Sequence, residues 1–230
     1  YRYLPLNNYD SLLSIGGAGN RENGFLEIQK ISLPNRQQLY ALDVSQQEIS
    51  ILNQDLKIVR RFSFWNQNDF LSQAEPVQAS NFAVGQSGDL FMLNDLDNKI
   101  YVYNVFGELI LNMGGNDYGP GNLMKPVDLW LNSNNLLYVL EGRSKEIKVF
   151  DNQGTFQSRI LPKLHKSEKV FLEDSFLVYL GAQEVLFHHL QSSQNYRYTL
   201  STGHLVQDVQ ITKEFIYLLS NSGIYKYARQ

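Results

Sequence analysis

Hydrophobic residues along this chain gather into short runs set off by polar punctuation, and the three-to-four spacing of an amphipathic helix is hard to find. The segment Asp89–Met113 shows the unit. Leu90–Leu93 is apolar, Asn94–Asn98 is polar, Ile100–Tyr103 is apolar again, Phe106-Gly107 marks a turn and Leu109–Leu111 follows. Runs of strand length separated by tight turns predict an antiparallel meander. Asn135–Leu161 repeats it with Leu136–Leu140, Ile147–Phe150 and Phe156–Leu161, and Gln38–Phe62 is an earlier copy. Looser copies begin at Ser175 and Glu214. The central residues of the first run in each copy are Tyr40, Phe91, Tyr138, Val178 and Tyr217, which lie 51, 47, 40 and 39 residues apart. That period belongs to the blades of a β-propeller, each a four-stranded sheet that must bury its faces against neighbours.

Each blade needs one strand ahead of the meander. Leu26–Ile31, Pro76–Val84, Pro126–Leu131, Lys169–Leu172 and Leu205–Ile211 fill that place, giving five sets. The fifth copy runs only to its third strand. The segment Leu12–Ile31 echoes Ile110–Trp130, and Ile110–Met113 lies in an outer, fourth strand. By the same pattern Ser11–Ile15 is a fourth strand with no blade before it. The expectation is a single all-β domain, residues 1–230, folded as a five-bladed propeller of four-stranded antiparallel blades. The N-terminal strand completes the last blade and removes an exposed sheet edge. Six blades is the alternative.

Pro126, Tyr138-Val139, Ile147-Lys148-Val149-Phe150 and the turn Asp151-Asn152-Gln153-Gly154 carry a further signal, as does the glycine-rich link Gly114–Pro126. This pattern resembles the NHL-type propeller repeat over Pro76–Leu161, with a fair match over residues 11–62. The resemblance implies a propeller fold, usually of six blades, and little about chemistry, because propellers host binders and enzymes alike.

Composition narrows the functional classes. The 230 residues carry a net charge of −3, and the basic stretches Val59–Phe62 and Leu161–Lys169 are short, so no nucleic acid is expected as a partner. The chain has no cysteine, which excludes disulfides, thiol catalysis and thiolate metal sites. No run has the length of a transmembrane helix. The Asn/Gln-rich, cysteine-free composition and a start at Tyr1 lead to the expectation of an exported protein, periplasmic or outer-membrane associated, with a lipid anchor as one form.

Candidate chemistry is sparse. His188 and His189 are neighbours in a strand, so their side chains leave opposite faces, and with His165 and His204 they give no metal site. Ser87, between Gly85 and Gly88, sits in an ordinary strand-to-strand turn, and no nucleophile-elbow motif occurs. Asp95-Leu96-Asp97 lacks the ligand number of a calcium loop and reads as turn capping. Asp128 and Asp208 hold equivalent first-strand positions in blades three and five, where carboxylates of a propeller face its axis. They are the candidate residues for a tunnel ligand, or for a small carbohydrate-active or lyase-type enzyme. The link Phe62–Leu71 has lost its glycines and gained Phe64, Trp65 and Phe70, and Tyr118 stands on the next link. Clustered aromatics on such loops are anchors for a protein partner. The sequence therefore points to a non-enzymatic interaction scaffold, an accessory subunit of a cell-envelope complex, with no cofactor expected.

Overall fold

The computed structural model describes residues 15, 24–34, 37–64, 77–115, 119–161, 167–173, 175–199, 205–212 and 214–228. Nineteen strands are described, and the chain divides into two compact units, Tyr1–Leu129 and Trp130–Gln230.

The first unit opens with β1 (Ile28–Ser32), β2 (Leu39–Asp43), β3 (Glu48–Leu52) and β4 (Ile58–Ser63), hydrogen-bonded in chain order as sheet one. Sheet two repeats this with β5 (Ala79–Val84), β6 (Leu90–Asn94), β7 (Lys99–Tyr103) and β8 (Leu109–Gly114). Sheet three has β9 (Pro126–Leu131), β10 (Leu137–Glu141), β11 (Ile147–Phe150) and β12 (Phe156–Ile160), and the division between the units falls within β9. In the second unit, sheet four holds β13 (Lys169–Glu173), β14 (Phe176–Leu180), β15 (Glu184–His189) and β16 (Asn195–Thr199). Sheet five has β17 (Val206–Ile211), β18 (Phe215–Ser220) and β19 (Gly223–Ala228), three strands among the described residues. Of Ser11–Ile15, the strand expected to complete it, only Ile15 is among the described residues.

The second and third strands of sheets one to four read as near-continuous apolar runs because both of their faces are covered. Leu42, Ile49, Phe82, Met92 and Leu93 are fully buried in the first unit, and Leu137, Val139, Ile147, Val178, Tyr179 and Leu218 in the second. Outer strands β4, β8, β12 and β16 are largely exposed, and there alternation returns.

A five-residue turn recurs four times. Asn53, Asn104, Asn132 and Asp151 each accept the N–H groups two and four residues ahead on Oδ1, at 2.8–3.0 Å. The fourth residue of each turn is left-handed: Leu56, Gly107, Asn135 and Gly154. Only a short side-chain acceptor can fold back onto its own backbone this way, which explains the Asn/Asp punctuation. Leu56 and Asn135 show that the left-handed φ alone does not demand glycine; at Gly107 (φ 88°) a Cβ would also come within 3.0–3.1 Å of the Phe62 ring, and there glycine relieves both strains.

Within the first unit, sheets one and two share a core of Tyr40, Leu42, Ile49, Ile51, Phe64, Phe82, Leu90, Met92, Tyr101 and Tyr103. The Gln47 amide crosses between them. Its Oε1 accepts the Ala79 N–H at 2.6 Å and its Nε2 donates to the carbonyls of Val44 and Ala79. On the face of sheet one turned away from sheet two, Phe25, Ala41 and Leu52 form a smaller cluster against which Ile15 packs.

Candidate functional site

The first strands carry the polar positions that the repeat aligns. In β1, β5 and β17 a bulge precedes the aligned residue, and Lys30, Asn81 and Asp208 then pair with Leu42, Leu93 and Leu219. Lys169 pairs with Leu180 in the same way without a bulge.

In the first unit three of these residues converge. Lys30 Nζ donates to Asn81 Oδ1 at 2.6 Å, to Asp128 Oδ1 at 2.8 Å and to the Leu129 carbonyl at 3.2 Å. An ammonium has three protons, and all three are directed at oxygens. Asp128 Oδ1 also accepts the Leu129 N–H at 2.8 Å, while Asn81 Nδ2 donates to the Val127 carbonyl at 3.2 Å. The side chains of Lys30 and Asp128 are 23% and 29% exposed, so the cluster stands at a wetted surface with its charge balanced. The contacts from Lys30 and from the Leu129 N–H both fall on the Oδ1 atom of Asp128.

Asp208 belongs to the second unit, where Lys169 Nζ lies 3.5 Å from its Oδ1 with both side chains more than half exposed. The two candidate acids thus each have a lysine. The acids stand out in the sequence by their aligned positions, whereas nothing local marks the lysines that pair with them.

The aromatic link fares differently. Phe64 is 7% exposed, and its ring lies 5.8 Å from that of Tyr103. Its N–H donates to the Gln47 carbonyl. Phe62 and Phe64 alternate on the inward face, so the pattern Phe-Ser-Phe is a continuation of β4 and not the start of an open loop. Phe64 is therefore a core residue, which corrects its expected role as a partner anchor. Trp65, Phe70 and Tyr118 lie outside the described residues.

Other candidates resolve into structure. Gly85–Asp89 is a turn closed by Gly85 N–H on the Asp89 carbonyl at 2.8 Å. Asp95 accepts the Ser80 hydroxyl, and Asp97 accepts the Lys99 N–H and the Tyr101 hydroxyl. His188 is buried with Nδ1 2.9 Å from Asn195 Oδ1, whereas His189 receives the Ser192 N–H on its Nδ1 at 3.1 Å. Among the described residues no three metal-ligating side chains converge, and no helix is long and apolar enough to cross a membrane. Tyr179 is fully buried, its hydroxyl finds no hydrogen-bond partner among the described residues, and burial pushes its pKa up to about 12.

The second unit also holds a cavity of about 180 Å³, lined by Phe176, Phe187, His189, Tyr196, Tyr198, Ile211 and Ile216. Nothing in the sequence flagged it, since its walls come from five different strands.

No protein-family model matches the chain, and no curated protein matches it. Solved structures do. Virginiamycin B lyase from Staphylococcus aureus is 12% identical, with a TM-score of 0.57 over 85% of this chain and 64% of that one. The WD40 repeats of RRP9 are 10% identical, with a TM-score of 0.59 over 88% and 60%. PorZ, a surface component of the type-IX secretion system of Porphyromonas gingivalis, is 12% identical, with a TM-score of 0.58 over 88% and 25%. The chain thus spans about two-thirds or less of each of these neighbours. At such identities the likeness is one of fold, and the fold is that of the β-propellers.

Proposed function

We propose that the protein is a non-enzymatic interaction scaffold, a single five-bladed, NHL-like propeller in which the N-terminal strand, Ser11–Ile15, is the fourth strand of the last blade. The partner is another protein, held through the links that carry Trp65, Phe70 and Tyr118. The setting is an exported accessory subunit of an envelope complex. PorZ, a surface secretion component of similar fold, supports that setting.

The observation that carries the choice is the state of Asp128. An enzyme working through axial acids needs a carboxylate free to take or give a proton, as a lyase or glycosidase would require. Here the carboxylate accepts from Lys30 and from its own strand at 2.8 Å each. That arrangement braces first strands against each other and leaves the recognition to the loops.

The test is capture of the tagged protein from its native envelope under mild cross-linking, beside the Trp65→Ala/Phe70→Ala variant. A stoichiometric protein lost with the variant, at unchanged melting temperature, supports the reading. Capture that survives the variant overturns the assignment of these loops, and turnover abolished by Asp128→Asn overturns the non-enzymatic reading.

A further inference from the structure

The outer strands of the four-stranded sheets share one position that sheet two alone leaves uncharged. Pairing with the third strand aligns Arg61 with Ser50, Arg159 with Lys148 and Arg197 with Leu186. The residue so aligned in β8, opposite Tyr101, is Asn112. In sheets one and four the arginine meets an acid that opens the third strand, Arg61 with Glu48 at 2.8 Å and Arg197 with Glu184 at 3.2 Å. In sheet two the residue that opens the third strand is Lys99.

The turn leading into the strand changes with it. Its two tip residues are Gln54-Asp55 before β4 and Asn152-Gln153 before β12, but Val105-Phe106 before β8. Phe106, Leu109 and Ile110 are 73%, 43% and 53% exposed. The turn is held in place, since Asn104 accepts the N–H groups of Phe106 and Glu108, and Arg60 donates to the carbonyls of Val105 and Phe106. An apolar tip and an uncharged strand are thus presented together at the surface. Charges on an outer strand keep its unpaired N–H and C=O groups from recruiting another strand, and β8 has none. Among the described residues no strand lies beyond it.

Charge also identifies the occupant. An arginine on an edge repels an identical strand above all, because an unlike strand can answer it with an acid. Its loss therefore matters most for self-pairing. β8 is preceded by Glu108, and Lys99 lies beside its far end, where it pairs with Gly114. Turning one copy end for end brings the Glu108 end of each to the Lys99 end of the other, and sets Leu109, Ile110 and Leu111 against their own kind. A two-fold contact of this sort is complete at two copies.

We infer that β8 is a dimerisation edge: two copies of the chain pair β8 with β8, antiparallel, about an axis near Ile110. The inference goes beyond the scaffold reading and uses none of Trp65, Phe70 or Tyr118, so the two can fail separately.

The test is sedimentation velocity of the full chain over roughly a hundredfold range of concentration. Expected is a reversible monomer–dimer equilibrium that stops at two copies. Asn112→Arg installs the counterparts' residue at an exposed position and should weaken the dimer at least about tenfold, at the melting temperature of the dilute parent chain. Glu108→Lys should weaken it as well, and Glu108→Lys/Lys99→Glu should recover most of that loss. Because the chain has no cysteine, Ile110→Cys reports the contact directly under mild oxidation. It should form a disulfide dimer, whereas Gln157→Cys, at the matching bulge of β12, should stay monomeric. A chain that is monomeric throughout, growth past two copies, or a dimer indifferent to Asn112→Arg overturns the inference. Equal cross-linking of the two cysteine variants removes β8 as the contact. Loss of a captured envelope protein with Asn112→Arg, the chain itself being monomeric, assigns the edge to a partner's strand and overturns the second copy. Capture with the Trp65/Phe70 variant is read independently of all of these.

Discussion

Sheets one and two in the first unit meet the same problem as sheets four and five in the second, and solve it with different atoms. The strand entering each following sheet brings an N–H that must be satisfied where the chain passes from one sheet to the next. In the first unit this is Ala79, answered by the side-chain oxygen of Gln47 at 2.6 Å. In the second it is Val206, answered by the backbone carbonyl of Ala182 at 2.9 Å. The difference lies in the preceding hairpin. Between β14 and β15 the turn is closed by Gly181 N–H on the Glu184 carbonyl, short enough to bring main chain to the spot. Between β2 and β3 the longer turn Val44–Gln47 stands off, and a side chain has to span the gap. Equivalent positions in a repeat thus share a task and not a residue type, and only one solution can be removed by mutation.

The largest expected effect is at that residue. Gln47→Ala leaves the Ala79 N–H and carbonyl without their amide partner in a buried site, and should cost about 1–3 kcal/mol for each group left dry. Chemical denaturation of Gln47→Ala beside Ala182→Ser measures the contrast, because Ala182 contributes its main chain alone and its variant should lie within about 0.5 kcal/mol of the parent. Equal losses in the two variants would remove the distinction drawn here.

A second contrast lies in how the turn after the second strand is capped. Asp43 accepts hydrogen bonds from the N–H groups of Leu26, Glu27 and Gln46 and from the Gln46 amide, at 2.6–3.2 Å, while Asn94 does the same work in sheet two without a charge. Burial raises the Asp43 carboxyl, yet the four hydrogen bonds together outweigh it and hold the group below its usual range. A depressed pKa stabilises the fold at pH values above the ordinary carboxylate value and gives that stability up as pH falls through the lowered one. Urea midpoints measured from neutral pH down to about 3 should fall more steeply for the parent than for Asp43→Asn. Parallel curves would mean that Asp43 titrates as it does in the unfolded chain.

The smallest effect separates the two lysine–aspartate pairs. Lys30→Ala should cost about 1 kcal/mol, since three partners at 2.6–3.2 Å lose their donor in a half-covered site. Lys169→Ala, at 3.5 Å and with both groups more than half exposed, should cost less than about 0.5 kcal/mol and vanish in high salt. Melting curves at low and high ionic strength compare them directly.

The strands were legible because each is a short apolar run ended by a residue that caps its own turn. Ile147–Phe150 and Pro126–Leu131 read from the sequence coincide with β11 and β9, and Leu90–Leu93 falls one residue short of β6. Local pattern is enough for this, since the capping bonds span only two to four residues. The contacts that decide function span much more. Lys30 and Asp128 are 98 residues apart, Gln47 and Ala79 are 32 apart, and no local periodicity connects either pair. Phe64 borders a glycine-poor aromatic link, and only its alternation with Phe62 marks it as a residue of the core.

Hydrogen bonding along the main chain is almost wholly internal to each sheet, while side chains do most of the work between them. This has a mechanical consequence. Tension applied to the chain would act on one sheet at a time, because the shear-resisting ladders of one are not continued in the next. Each sheet and its links comprise on the order of 40 residues, or roughly 130–140 Å of extended chain. A pulled molecule should lengthen in discrete steps of that size.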